Sequence, residues 1–124
     1  MKTILIVEDN EKNMKLVRDV LQAKGYATLE AVTGEDGVRL AAEHRPALVL
    51  MDIQLPGISG IEALKRLRAD PATASIPVIA VTASVMASDR RNITDAGFDG
   101  YVGKPLNLRE FLDAVAGAIG PGGA

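Results

Sequence analysis

Four short aliphatic runs, at residues 4–7, 47–51, 77–81 and 100–102, are separated by segments long enough for helices. This alternation constrains the chain more than any other feature. Runs of Val, Ile and Leu without polar interruption suit strands buried on both faces, and such strands belong to parallel sheets joined by helical crossovers. A fifth run, 26–31, alternates instead: Thr28 and Glu30 fall on one face, Leu29 and Ala31 on the other. That pattern predicts a half-exposed edge strand.

Five helices fit between and after these strands. The first, about 11–24, aligns Met14, Val17 and Leu21 and ends at Gly25. The second opens on Thr33-Gly34-Glu35-Asp36, which resembles a capping box, and ends before Pro46; the third opens on Ser59-Gly60-Ile61-Glu62 and stops near Asp70-Pro71. The fourth runs about 86–96 and ends at Gly97. The fifth opens at Asn107, with Leu108, Phe111, Leu112, Val115 and Ile119 on one buried stripe. The expected architecture is α/β, a (βα)₅ unit with helices on both faces of a parallel sheet. A central first strand gives the flavodoxin-like order 2-1-3-4-5. One domain is expected over 1–119, followed by a flexible tail at 120–124.

Composition narrows the partners. The 124 residues carry 14 basic and 16 acidic side chains, for a net charge of −2, so no basic excess exists for binding a phosphate backbone. Two Phe, two Tyr and no Trp leave little surface for stacking bases. Nucleic acid is therefore not an expected partner. With no cysteine, disulfides and thiolate metal sites are excluded. No apolar run approaches the ~20 residues of a membrane span, and residues 1–4 lead into a strand without a signal-peptide core. A cytoplasmic protein without membrane contact is expected.

The chemistry collects at strand ends. Glu8 and Asp9 follow the first run, Asp52 the third, Thr82 the fourth, and Lys104 the fifth. In a parallel sheet these lie at one carboxyl edge, where open α/β sheets bind ligands. Each has an ordinary role when taken alone. Asp52 is either a turn residue or an exposed, rigidly aimed carboxylate serving as metal ligand, base or nucleophile. Glu8-Asp9-Asn10 reads equally as a helix cap. Together, three close carboxylates repel unless a cation sits among them, and Mg²⁺ prefers a few carboxylates, waters and phosphate oxygens. Lys104 is a compact charge suited to a phosphoryl group. His44, the single histidine, precedes Arg45-Pro46 at a helix end and is expected to be a solvated surface residue.

At this point the residues resemble a known family. Ile6-Val7-Glu8-Asp9-Asn10, Leu50-Met51-Asp52-Ile53-Gln54-Leu55-Pro56-Gly57, Val81-Thr82-Ala83 and Lys104-Pro105 are similar to the four signature blocks of response-regulator receiver domains, in order and over essentially the whole chain. The resemblance implies that Asp52 accepts a phosphoryl group from a phosphohistidine. It implies Mg²⁺ held by Asp9, Glu8, Asp52 and the Gln54 backbone carbonyl. Thr82, Lys104 and the Ala83 backbone N–H would hold the phosphoryl oxygens, and Tyr101 would be the switch aromatic. The family's usual cis peptide falls at Lys104-Pro105. Ser84 is small enough to admit the water that would hydrolyse the product.

A single-domain, cytoplasmic regulator is thus expected, not an enzyme beyond its own phosphorylation and dephosphorylation. Its expected partners are a histidine kinase or histidine phosphotransferase and a downstream protein, with the chain itself a monomer or weak dimer. Cell-cycle control is the expected setting. Competing roles are a scaffold that is never phosphorylated and a phosphatase with an aspartate nucleophile. The latter needs Asp-x-Asp, and residue 54 is Gln. A flavin module on the same fold would place its phosphate against Glu8 and Asp9.

Overall fold

The computed structural model describes residues 2–82, 87–104 and 106–120, with every side chain among them except those of 87–90 and 92. Strands β1 (Thr3–Val7), β2 (Ala27–Ala31), β3 (Leu48–Asp52), β4 (Val78–Thr82) and β5 (Gly100–Gly103) alternate with helices α1 (Glu11–Ala23), α2 (Gly34–His44), α3 (Gly60–Ala69), α4 (Ala87–Ala96) and α5 (Leu108–Ile119). All strand pairs are parallel, and the sheet order is β2-β1-β3-β4-β5. This is the expected flavodoxin-like α/β fold.

Strand alternation divides the core into two layers. Leu5, Val7, Val49, Met51, Val78 and Ala80 pack with Ala41, Ala63, Leu64, Leu67 and Ile93 from α2, α3 and α4. Ile4, Ile6, Leu48, Leu50, Ile79, Val81 and Val102 pack with Met14, Val17 and Leu21 of α1 and Phe111 and Val115 of α5. Side chains such as Leu5, Leu48 and Leu64 are fully buried, each contributing roughly 1.5–3 kcal/mol over exposure.

Side-chain caps set where the helices begin. Asn10, Thr33, Ser59 and Asn107 each accept an amide three residues on, from Asn13, Asp36, Glu62 and Glu110. α1 stops before Gly25 and α4 before Gly97, both at positive φ. Two expectations shift. Leu108, at the first helical position of α5, is 43% exposed. Leu112 and Ile119 are only partly buried, so the stripe narrows to Phe111 and Val115.

At the opposite, amino edge, Arg68 ties two connections together, α3 to β4 and α4 to β5. Its guanidinium donates to the carbonyls of Ala74 at 3.0 Å, Ile76 at 2.6 Å and Gly97 at 3.3 Å, and pairs with Asp99 at 2.9 Å. Asp99 also accepts the Val78 amide at 2.8 Å. The expectations placed on Ala83, Ser84, the start of the fourth helix at residue 86, the Lys104-Pro105 peptide and residues 121–124 of the tail lie outside the described residues.

Candidate functional site

Register brings the site together. Val7 pairs with Met51, Asp52 with Val81, and Thr82 with Gly103. The even-numbered residues of β1 and β3 face α1 and α5, as does Val102 of β5. Continuing that alternation past the strand ends delivers Glu8, Asp52 and Lys104 to the same face. The Lys104 backbone is anchored there by its N–H, which donates to the Thr82 carbonyl at 2.8 Å.

Lys104 Nζ donates to Asp52 Oδ2 at 2.9 Å and to both Glu8 oxygens, at 3.0 and 3.3 Å. The other Asp52 oxygen accepts the Gln54 backbone N–H at 3.1 Å. Asp52 is 5% exposed and Glu8 4%. The expectation of an exposed Asp52 is therefore corrected: the carboxylate is buried, with the ammonium against it. Asp9 is exposed, and one oxygen from each of Glu8, Asp9 and Asp52 falls within 4.8 Å of the others. An open cleft of about 400 Å³ runs from Glu8 and Asp9 along Lys15, Arg18 and Glu30. Thr82 is buried beside the site and Tyr101 is 40% exposed on β5. The Gln54 residue lies at the surface of the loop after β3.

The charges do not balance. Burial, reinforced by a hydrogen bond shared with Asp52, pushes the Glu8 carboxyl up to about 7, while Lys104 and Asn13 pull it the other way without compensating. Burial would lower the Lys104 ammonium, yet its bonds to Asp52 and Glu8 leave it raised. The two shifts point in opposite senses for one ion pair, since the first opposes charge on Glu8 and the second favours charge on Lys104. The geometry explains both: one ammonium faces two buried carboxylates, with a third nearby. The donor set, three carboxylates, suits a hard divalent cation such as Mg²⁺. Asn13, whose contact with Glu8 lies across the first turn of α1, had no signal in the sequence beyond its place after the cap.

The imbalance predicts a pH dependence. With its folded pKa raised, Glu8 contributes stability that is fully present below its ordinary value of 4.5 and lost as pH rises through about 7. Between about pH 5 and pH 8, without divalent cation, the unfolding free energy is expected to fall by on the order of 2 kcal/mol from this group. Urea titrations should show the slope in the native chain and its loss in Glu8→Gln. An equal slope in both proteins would place its origin elsewhere.

The chain belongs to the response regulator receiver domain family, whose model matches residues 4–116. It is 46% identical over 119 residues to the polar-differentiation response regulator DivK of Brucella anthropi, covering 96% of this chain and 97% of that one. The DivK of Brucella ovis is 45% identical over the same span. Among solved structures, the receiver domain of a sensor histidine kinase from Pseudomonas aeruginosa superposes with a TM-score of 0.89 at 34% identity, covering 96% of this chain and 98% of that one. That crystal structure has a magnesium ion coordinated in its active site cleft. Two-component signalling is thus the class of work to which the chain belongs. No helix among the described residues is long and apolar enough to cross a membrane.

Proposed function

We propose that this chain is a phosphorylatable signalling switch with Asp52 as its phosphoacceptor. The observation that carries the proposal is the grip of one ammonium on Asp52 and Glu8 beside Asp9. Glu8, Asp9, Asp52 and the Gln54 carbonyl would hold Mg²⁺, which when bound supplies charge neutralisation for the transferring group. Asp52 needs no base, because a carboxylate is already a nucleophile. Its oxygen attacks the phosphorus of a phosphohistidine, the P–N bond breaks, and the imidazole nitrogen leaves with the bonding pair. An acyl phosphate results. Lys104 and the Thr82 hydroxyl, with the Ala83 backbone N–H, stabilise the phosphoryl oxygens. Lys104 releases its hold on Glu8 as it turns to the new dianion.

The phosphoryl donor is a histidine kinase or histidine phosphotransferase, and the output is a change in the surface formed by α4, β5 and α5. Thr82 would shift toward the phosphoryl group, and Tyr101 would turn into the space left behind. Such a chain acts in the cytoplasm by contact with a downstream protein, in cell-cycle control; its DivK relatives are named for polar differentiation.

Intact-mass spectrometry after incubation with a small acyl phosphate tests the central step. One phosphate is expected on the native chain with Mg²⁺, and none without Mg²⁺ or on Asp52→Asn. Failure of the native chain to gain phosphate, with failure to bind beryllofluoride, would favour a scaffold that is never phosphorylated.

A further inference from the structure

The loop joining Asp52 to α3 is held from within by Gln54 N–H on Asp52 Oδ1 and by Gly60 N–H on the Ile53 carbonyl at 3.0 Å. It is also held from outside, by α2. Glu35, in the first turn of α2, accepts the Ile58 backbone N–H on Oε1 at 3.3 Å. Gly57 turns at φ 77°, and a Cβ there would lie 2.6 and 2.7 Å from the two Glu35 oxygens. The carboxylate therefore seats against a surface that only glycine leaves open. Gly34, the preceding residue, packs so closely that a Cβ would lie 2.7 Å from Ile58 Cγ1 and 3.0 Å from the Ile58 carbonyl oxygen. Among the described residues no cation pairs with Glu35, so an ion pair does not account for its placement.

We propose that Glu35 is a positioning residue for the metal-binding loop. By holding Ile58 N–H it fixes the far side of a loop whose near side carries the Gln54 carbonyl and the Asp52 carboxylate, and so sets divalent-cation affinity. The proposal rests on the Mg²⁺ site assigned above. A backbone ligand has no rotamers to adjust, so its aim depends on whatever pins the loop. Groups that orient ligands from outside commonly change metal affinity when removed.

The test is an NMR titration of backbone amides with MgCl₂, together with amide exchange at Ile58, on the native chain and three variants. Glu35→Ala is expected to weaken Mg²⁺ binding roughly three- to tenfold and to speed Ile58 exchange. Glu35→Asp keeps the charge but falls short of the amide, and should lose affinity in the same way. Glu35→Gln retains an accepting oxygen at the same reach and should stay within about twofold of the native chain. Melting temperatures show that each variant is folded; because Glu35 is exposed, none is expected to collapse. Native affinity in both Ala and Asp variants would overturn the proposal. So would a Gln variant as weak as Ala, since charge rather than the latch would then be responsible. A native chain that shows no Mg²⁺ titration would overturn the assigned metal site and this proposal with it.

Discussion

Lys104→Met is expected to cost roughly 3 kcal/mol of stability at neutral pH without divalent cation, toward the lower end for breaking a buried ion pair because the ammonium keeps some water. Lys104 is 20% exposed at the side chain, whereas Glu8 and Asp52 are 5% and 7%. Among the described residues it is the one cation that touches either carboxylate. Methionine fills a similar volume, so the loss reports charge rather than a cavity. With the ammonium gone, Glu8, already pushed up to about 7 by burial, favours protonation further, and the deficit should shrink as pH falls through about 7. Mg²⁺ should restore more stability to the variant than to the native chain. Chemical denaturation at two pH values, with and without Mg²⁺, checks all three. A loss below about 0.5 kcal/mol at neutral pH would mean that water already screens the cluster. Phosphoryl transfer to Asp52 should also slow, since the variant lacks the fixed charge that would meet the incoming oxygens.

Gly60→Ala should be comparably damaging through sterics alone. A Cβ on residue 60 would lie 2.2 Å from the Asp52 carbonyl oxygen, 2.9 Å from Ile53 Cα and 3.0 Å from the Asp52 carbonyl carbon. All three are backbone atoms, so no rotamer can give way. Either α3 moves off the sheet or the end of β3 twists, and the second displaces Asp52. Overpacking of this kind costs roughly 1–3 kcal/mol and sometimes more. The contact is backbone on backbone, so a value of about 3 kcal/mol or above is expected. Ala usually favours a helix over Gly by about 1 kcal/mol, so a neutral or raised melting temperature would contradict the close approach. A crystal structure of the variant would show which side yields.

The sheet order followed from the sequence because parallel strands announce themselves as unbroken aliphatic runs, and because the caps Thr33, Ser59 and Asn107 stand where helices begin. The meeting of Glu8, Asp52 and Lys104 was legible for the same reason: each follows a strand, and alternation carries them to one face. Their burial was not legible. Asp52 reads as exposed from its place at a strand end, but Lys104 reaches past β4 to lie against it. Leu108 fits the helical period of Phe111 and Val115, but period does not say which end of the stripe stays exposed. The Glu35–Ile58 bond spans 23 residues and joins an exposed carboxylate to a backbone amide, a contact with no side-chain pattern to betray it. Asp99 and Arg68 escaped for a related reason, since most of their partners are carbonyls and amides.

Lys104 meets Asp52 across 52 residues and Glu8 across 96. The first strand, a central strand and the last strand must therefore all be in place before the ammonium finds its partners. Contacts so distant in sequence close late, after most of the loop entropy has been spent. A chain without β5 carries both acids but lacks the ammonium that faces them in the finished fold. On the function proposed above, such a chain would lack the fixed charge that meets the incoming phosphoryl oxygens. Competence to accept a phosphoryl group would, on that function, arrive only with the completed sheet.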